Sequence, residues 1–313
     1  MVTRSSVVAG AVALVVACTA SPAHAAAGPA GFVAVASASG GRMTFTVPDF
    51  AVVEDVIDGG GPVAQSVLDA DTATSFAALP YPGDNAIAFP GLFNAATGHD
   101  LPAGYPFYVR AAHPTVPEQR LGDPSGSYAL DARAAAGQAG SAARFGRDGD
   151  SDGGRSRAAT SAVEDGDTVT VTAETIDEAL SLGNGALRIA SVRSRAVTTW
   201  RAGEAAPSTT TGLAVQGGSA GGYTFGFGPG GLVVASQGAP VPVGEGVQAM
   251  NQALAPAGIS LHVVAAEPVA GGAVAEALEV VFQRPAPGQG VPGGVVRLRF
   301  GGALAAILLG QPS

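Results

Sequence analysis

The smallness of its side chains constrains this chain more than any motif. Hydrophobic residues make up 47% of the 313, but 63 residues are Ala, and Gly and Pro add 46 and 22. Ala buries little area, whereas a larger apolar side chain contributes roughly 1.5–3 kcal/mol on full burial. The core must therefore be thin and built from small residues. Gly and Pro at this density, well above ordinary usage, favour short strands and turns over long helices. Enough larger apolar residues remain for a folded core, so a wholly disordered chain is excluded.

The charged residues narrow the chemistry. All 16 positive residues are Arg, and the net charge is −9. Without Lys there is no phosphate-loop lysine, no Schiff base and no lysine base. An acidic chain without basic clusters argues against nucleic acid and against anionic membrane surfaces. The single cysteine, Cys18, excludes a disulfide framework and a Cys-ligated zinc.

The N-terminus reads as a leader. Arg4 precedes an uninterrupted apolar run from Val7 to Ala17, too short to span a bilayer and suited to a signal-peptide core. Ala23-His24-Ala25 supplies a small-x-small cleavage pattern, so residues 1–25 are expected to be removed behind Ala25, giving a secreted chain with no transmembrane span. Val15-Val16-Ala17-Cys18 resembles a bacterial lipobox, and cleavage before Cys18 would instead leave a membrane-tethered lipoprotein.

The rest predicts a mainly β, antiparallel protein built from hairpins, with a loop-rich first half and one late helix at about 245–255. Phe32–Ser39 and Arg42–Val47 flank Gly40-Gly41 as a hairpin. Pro62–Ala70 fits a helix or a strand equally. Seven aromatics between Phe76 and Tyr108, interleaved with prolines, predict loops followed by a short strand at Phe107–Ala111. Ala134–Arg157 has Phe145 as its only apolar side chain larger than Ala, and reads as a linker or mobile loop between a domain at 30–133 and a second at 158–301. In the second, Val169, Val171 and Ala173 alternate with Thr168, Thr170 and Thr172, marking a hairpin with Ala158–Val163. Strands follow at Ala186–Trp200, Thr209–Val215, Tyr223–Phe227, Leu232–Ala235, Ile259–Ala265, Ala277–Gln283 and Val295–Phe300. Val247, Met250 and Leu254 have helical spacing, stopped by Pro256 and Gly258. Residues 302–313 are expected to form a tail, whose apolar part Ala303–Leu309 is too short for a membrane anchor.

Each chemical motif has a plainer explanation. Gly217-Gly-Ser219-Ala-Gly221 matches the hydrolase elbow, but that motif needs a helix after the Ser, and Tyr223–Phe227 reads as strand. Gly226-Phe-Gly228-Pro-Gly-Gly231 matches a dinucleotide loop, yet strand follows where a helix is required, so a hairpin turn and no cofactor are expected. Asp148, Asp150 and Asp152 with Gly153 reproduce the start of a calcium loop, but the closing acid falls on Ala159 and Arg144, Arg147, Arg155 and Arg157 crowd the site, so a solvated charge run is expected. His99, His113 and His262 have no partner at metal-ligand spacing, though any of them could meet a Ser through the fold. Glu54, Asp55 and Asp58, or Asp69 and Asp71, could pair for glycoside cleavage, with surface acids the default.

The order of features, carried by Asp58-Gly-Gly-Gly-Pro62, Ala78-Leu-Pro-Tyr-Pro-Gly-Asp84, Gly185-Ala-Leu-Arg-Ile-Ala-Ser-Val-Arg193 and Asn251-Gln-Ala-Leu-Ala-Pro-Ala-Gly-Ile259, resembles secreted, envelope-associated proteins of high-GC Gram-positive bacteria. The resemblance brings no activity and no site residue onto this chain. The leading expectation is a non-enzymatic binding or structural protein of the cell exterior, with an envelope component or an apolar small molecule as partner. The alternative is a secreted serine-type hydrolase using Ser219 and one of the histidines.

Overall fold

The structure, a computed structural model, describes residues 31–47, 55–79, 108–147, 154–228, 231–236, 239–241, 243–284 and 293–310, with single positions 95 and 98. The leader, Cys18, Ala25, His99, Glu54 and Asp148–Asp152 all lie outside the described residues.

The chain begins with β1 (Phe32–Ser39), β2 (Arg42–Thr46), β3 (Asp55–Gly60), β4 (Val63–Asp69), β5 (Ala73–Ala78) and β6 (Tyr108–His113). Ten consecutive strands then form an up-and-down sheet in which sequence neighbours pair. They are β7 (Glu118–Gly122), β8 (Tyr128–Ala135), β9 (Gln138–Phe145), β10 (Arg155–Asp165), β11 (Thr168–Leu182), β12 (Leu187–Arg201), β13 (Ser208–Ala220), β14 (Tyr223–Gly228), β15 (Gly231–Ser236) and β16 (Ala239–Val241). Helix α1 (Val243–Leu254) follows, then β17 (Ile259–Val264), β18 (Glu267–Val269), β19 (Gly272–Val274), β20 (Ala277–Arg284), β21 (Gly294–Gly301) and β22 (Leu304–Leu309). The protein is thus mostly β and antiparallel with one late helix, as its patterning predicts. The helix stops where Pro256 and the left-handed Gly258, at φ 69°, cannot continue it.

Opposite the ten-stranded sheet lie a seven-stranded sheet, ordered β18-β19-β22-β1-β4-β5-β6, and a five-stranded sheet, ordered β17-β20-β21-β2-β3. The same stretches of chain run through both. β1 pairs with β4 and β22, whereas β2, two residues on, pairs with β3 and β21. Gly40-Gly41 is therefore not the hairpin turn that its flanks predict but a bend that carries a two-stranded ribbon from one sheet into the next. Backbone bonds Gly40 N–H to Pro62 C=O and Gly61 N–H to Gly41 C=O hold the bend closed. A Cβ on Gly61 would come within 2.9 Å of the Gly40 and Gly41 backbones, so no larger residue fits the crossing.

Two further expectations are corrected. The described part of segment 134–157 is not a linker: β9 lies inside it, paired on both sides, with Ala139, Ser141 and Ala143 facing the opposite sheet at 0%, 5% and 0% exposure. Small side chains suffice there because the facing strands β4 and β5 are equally small, and Ala against Ala still packs closely. With β8, β9 and β10 in one sheet, the division into two domains at this segment falls as well. The expected tail is β22, a strand interior to the seven-stranded sheet, with Ala305 and Ile307 buried. Pro62–Ala70 resolves as strand β4.

Alternation of burial along the long strands orients every side chain that follows. In β11, Val169, Val171, Ala173, Thr175 and Asp177 point inward, and Thr170, Thr172, Glu174 and Ile176 point outward. No helix among the described residues is long and apolar enough to cross a membrane.

Candidate functional site

Around Ser219 the described residues form sheet rather than a hydrolase elbow. Ser219 is half-buried within β13, opposite Arg188 and Thr224, and the Gly221-Gly222 turn after it leads into β14. The glycines of its motif serve the sheet. Gly217, at φ 60°, stands at a register shift in β13, and a Cβ on Gly218 would press into the Phe225 ring at 2.5 Å. His113 ends β6, half-buried in another sheet, and no hydrogen bond among the described residues joins Ser219 to a histidine. β14 and β15 pair antiparallel, with Gly228 opposite Gly231, as the expected hairpin requires.

The structure does pair one Ser with one His, by a route the motif search missed. Ser260 and His262 occupy alternate positions on β17, so both face outward, and Ser260 Oγ and His262 Nε2 share a hydrogen bond of 3.1 Å. Glu279 lies across from His262 in the ladder, but its carboxylate faces the Arg297 guanidinium at 3.6 Å. Among the described residues His262 has no ion pair, so the third member of a triad is not in place.

Of the candidate acids, Asp69 braces a turn. The Asp69 carboxylate accepts the backbone N–H of Asp71 at 2.9 Å, the N–H of Thr72 at 2.6 Å and the Thr72 hydroxyl at 2.8 Å, which ties it into the β4–β5 turn. Asp55 and Asp58 lie on β3, and their side chains are outside the described residues. No group of three or more metal-ligating residues occurs among the described residues.

Asp177 stands apart. It points inward from β11 at 1% exposure, where the Gly40-Gly41 bend crosses the ten-stranded sheet. Its Oδ1 accepts from Gly41 N–H at 3.0 Å and from the Ser156 hydroxyl at 2.6 Å, while Oδ2 has no partner. Burial pushes its pKa up to about 6, partly opposed by the Ser156 hydroxyl and the Gly41 N–H.

Among the described residues, the outer face of the ten-stranded sheet is exposed along its longest strands. Strands β10 to β13, of 11, 15, 15 and 13 residues, carry it. A groove of about 310 Å³ crosses it, bounded by Ala159, Ser161, Thr172, Glu174, Arg193 and Arg195. Arginines recur at alternate positions in Arg155-Ser-Arg157 on β10 and in Arg193-Ser-Arg195 on β12, a spacing that puts both members of each pair on one face. Ladder register sets Arg157 opposite Ile176 and Arg193 opposite the same Ile176, so the two pairs flank β11. Glu178 lies 3.5 Å from Arg155, and Glu174 accepts from Arg193 Nε at 2.7 Å. Arg157 and Arg195, both exposed, have no acidic partner among the described residues. Farther along, at the β7–β8 edge, Arg120 and Arg133 are neutralised by Asp131, at 2.7 and 2.9 Å, and by Glu118. A sequence scan for basic runs could not find this face, because its arginines come from separate strands; the R-x-R spacing was the available signal.

No family model and no curated protein matches the chain. Among solved structures, the outer membrane protein opdK from Pseudomonas aeruginosa is similar over 90% of this chain and 100% of its own, at 10% identity and a TM-score of 0.23, a likeness too slight to carry any argument.

Proposed function

We propose that this is a secreted or envelope-associated protein that works by binding, with the outer face of the ten-stranded sheet as its contact surface. The observation that carries this reading is that face itself: the four longest strands among the described residues, with a groove lined by hydroxyl and charged side chains. Such a lining suits a polar partner, an envelope component, better than an apolar small molecule.

The test blocks the face without presuming the partner's chemistry. In protein beginning at Ala26, which contains no other cysteine, Ser161→Cys is coupled to a bulky polyethylene-glycol maleimide. Coupling is expected to abolish binding to isolated cell-envelope fragments, whereas the same coupling at Val33→Cys, on the outer face of the seven-stranded sheet, leaves binding intact. Equal binding after both couplings overturns the assignment of the face. Covalent labelling of folded protein by a fluorophosphonate, lost in Ser260→Ala or Ser219→Ala, would replace the binding reading with a hydrolase. The exterior location rests on the leader. N-terminal sequencing of exported protein is expected to begin at Ala26, and membrane-bound material released by Cys18→Ala would establish the lipoprotein route instead.

A further inference from the structure

We infer that the outer face of the seven-stranded sheet is the contact between two copies of this chain, related by a two-fold axis along β1. The binding reading does not use this face, so the inference stands or falls apart from it. Residues opposite each other in a ladder share a face of the sheet, and the register therefore gives the outward rows. In one row Glu267 lies opposite Val274, Val274 opposite Leu304, and Leu304 opposite Ser37. Ser37 then lies opposite Gln65, Gln65 opposite Phe76, and Phe76 opposite Arg110, so the row crosses all seven strands. The next row, from Val269 through Ala306, Val35, Val67 and Thr74 to Ala112, carries no charge. Val33, Leu308 and Tyr108 on this face are 40%, 43% and 48% exposed. Between the edge strands its one charged residue is Asp69, whose carboxylate is bound into the β4–β5 turn. The outer face of the ten-stranded sheet, by contrast, carries Glu174, Arg193 and Arg195 on its long strands.

The placement of the remaining charges selects a second copy as the occupant. Glu267 and Arg110 are exposed and have no ionic partner among the described residues. They end the same row, on β18 and β6, each three strands from β1, the middle strand of the sheet. A two-fold axis along β1 exchanges the two edges and keeps each row at its own height. It sets Arg110 of each copy over Glu267 of the other, so two ion pairs close the two rims of an apolar, self-complementary interface. The same rotation preserves the twist of the sheet, which lets the two saddle-shaped faces nest. Seven strands, each about three outward residues deep, give roughly 34 × 20 Å. That is on the order of 700 Å² per copy, against the ~800 Å² per partner of a stable interface. A lipid surface would leave the Glu267 carboxylate unpaired, whereas a second copy pairs both charges.

The test uses protein beginning at Ala26. Sedimentation equilibrium is expected to give twice the monomer mass, and maleimide coupling at Val33→Cys to give monomer. Arg110→Glu and Glu267→Arg each set like charges face to face and should weaken the dimer at least about tenfold. The two substitutions together should restore it, because the pairs re-form with their signs exchanged. Ser37, on the axis, faces Ser37 of the other copy. A short bismaleimide should therefore join Ser37→Cys into a covalent dimer and leave Ser161→Cys, on the ten-stranded sheet, uncoupled. A monomer at every concentration, a dimer indifferent to both charge reversals, or cross-linking of Ser161→Cys alone would overturn the inference. Binding of the parent protein as a monomer to phosphatidylcholine vesicles would overturn it too, and would give the face to lipid.

Discussion

The two cores of this protein are built from different materials. Between the seven-stranded sheet and the facing β8–β12 strands, 18 of the 26 buried residues are Ala, with Leu68, Val109, Leu130, Val169, Val171 and Ile307 among the exceptions. Between the five-stranded sheet, α1 and strands β12–β15, Ala220 is the lone Ala among residues such as Leu187, Ile189, Phe225, Met250 and Phe300. The difference shows in how the layers are joined. In the Ala-rich core the sheets approach closely enough for side-chain hydroxyls to bridge them. Ser141 Oγ donates to the Gln65 carbonyl of the opposite sheet at 2.9 Å, Ser75 Oγ to the Arg133 carbonyl at 2.9 Å, and Thr160 Oγ1 lies 2.8 Å from both Ser66 and Ser141. In the other core, area removed from water dominates. One region is held by proximity, the other by bulk.

The comparison predicts opposite responses to a change of volume. Truncation should be most costly in the core of larger side chains: Leu187→Ala, at a residue 0% exposed, is expected to lose about 2–5 kcal/mol in urea unfolding. A loss under about 1 kcal/mol would show that this core collapses around cavities as readily as the other.

The second effect belongs to Asp177, at the seam between the cores. Its pKa of about 6 exceeds the usual 3.8, so between those values the folded state holds a proton that the unfolded chain has released. The stabilisation is full below about pH 4 and is lost as pH rises through 6. The whole change is on the order of 3 kcal/mol. Asp177→Asn should flatten this dependence and melt higher than the parent at pH 7; an unchanged pH profile would mean that the carboxyl titrates normally.

Enlargement should hurt the Ala-rich core. Ala158→Leu, at 0% exposure on β10, is expected to cost about 1–3 kcal/mol through overpacking, with a melting temperature lowered to match. Tolerance of Leu there would mean that the close approach of the layers is not required. The smallest effect is Thr160→Val, which keeps shape but removes the hydroxyl shared by Ser66 and Ser141. It should cost roughly 1–2 kcal/mol, and less if Ser66 is replaced by Ala in the same chain, because the orphaned partner is then gone.

Much of the fold was legible from local pattern. Alternation in Thr168–Thr175 located β11 and its hairpin with β10, and the spacing of Val247, Met250 and Leu254 located α1, where Met250 and Leu254 are now buried. What misled was size. Ala139, Ser141 and Ala143 keep a period of two, but each hides too little area to mark a core strand by itself. The arginine-bearing outer face was legible only in fragments, as two R-x-R spacings 38 positions apart. The Ser260–His262 pair carried the same i, i+2 signal, and Asp177 was indistinguishable from its half-buried, outward-facing neighbours Glu174 and Glu178 except by its phase in the strand.

By itself, then, the sequence determined the strongly patterned elements, β10 to β12 and α1 among them, since alternation, turn residues and helix stops act within a few residues of chain. Only the tertiary structure decided which strands pair. Gly40-Gly41 could close a hairpin or bend a ribbon, and the choice went to the bend because β1 finds β22 and β4 while β2 finds β21 and β3, partners up to about 270 positions away. Pairing of that kind depends on matching whole faces by size: small against small, where Ala and Ser let two layers meet, and large against large where they cannot.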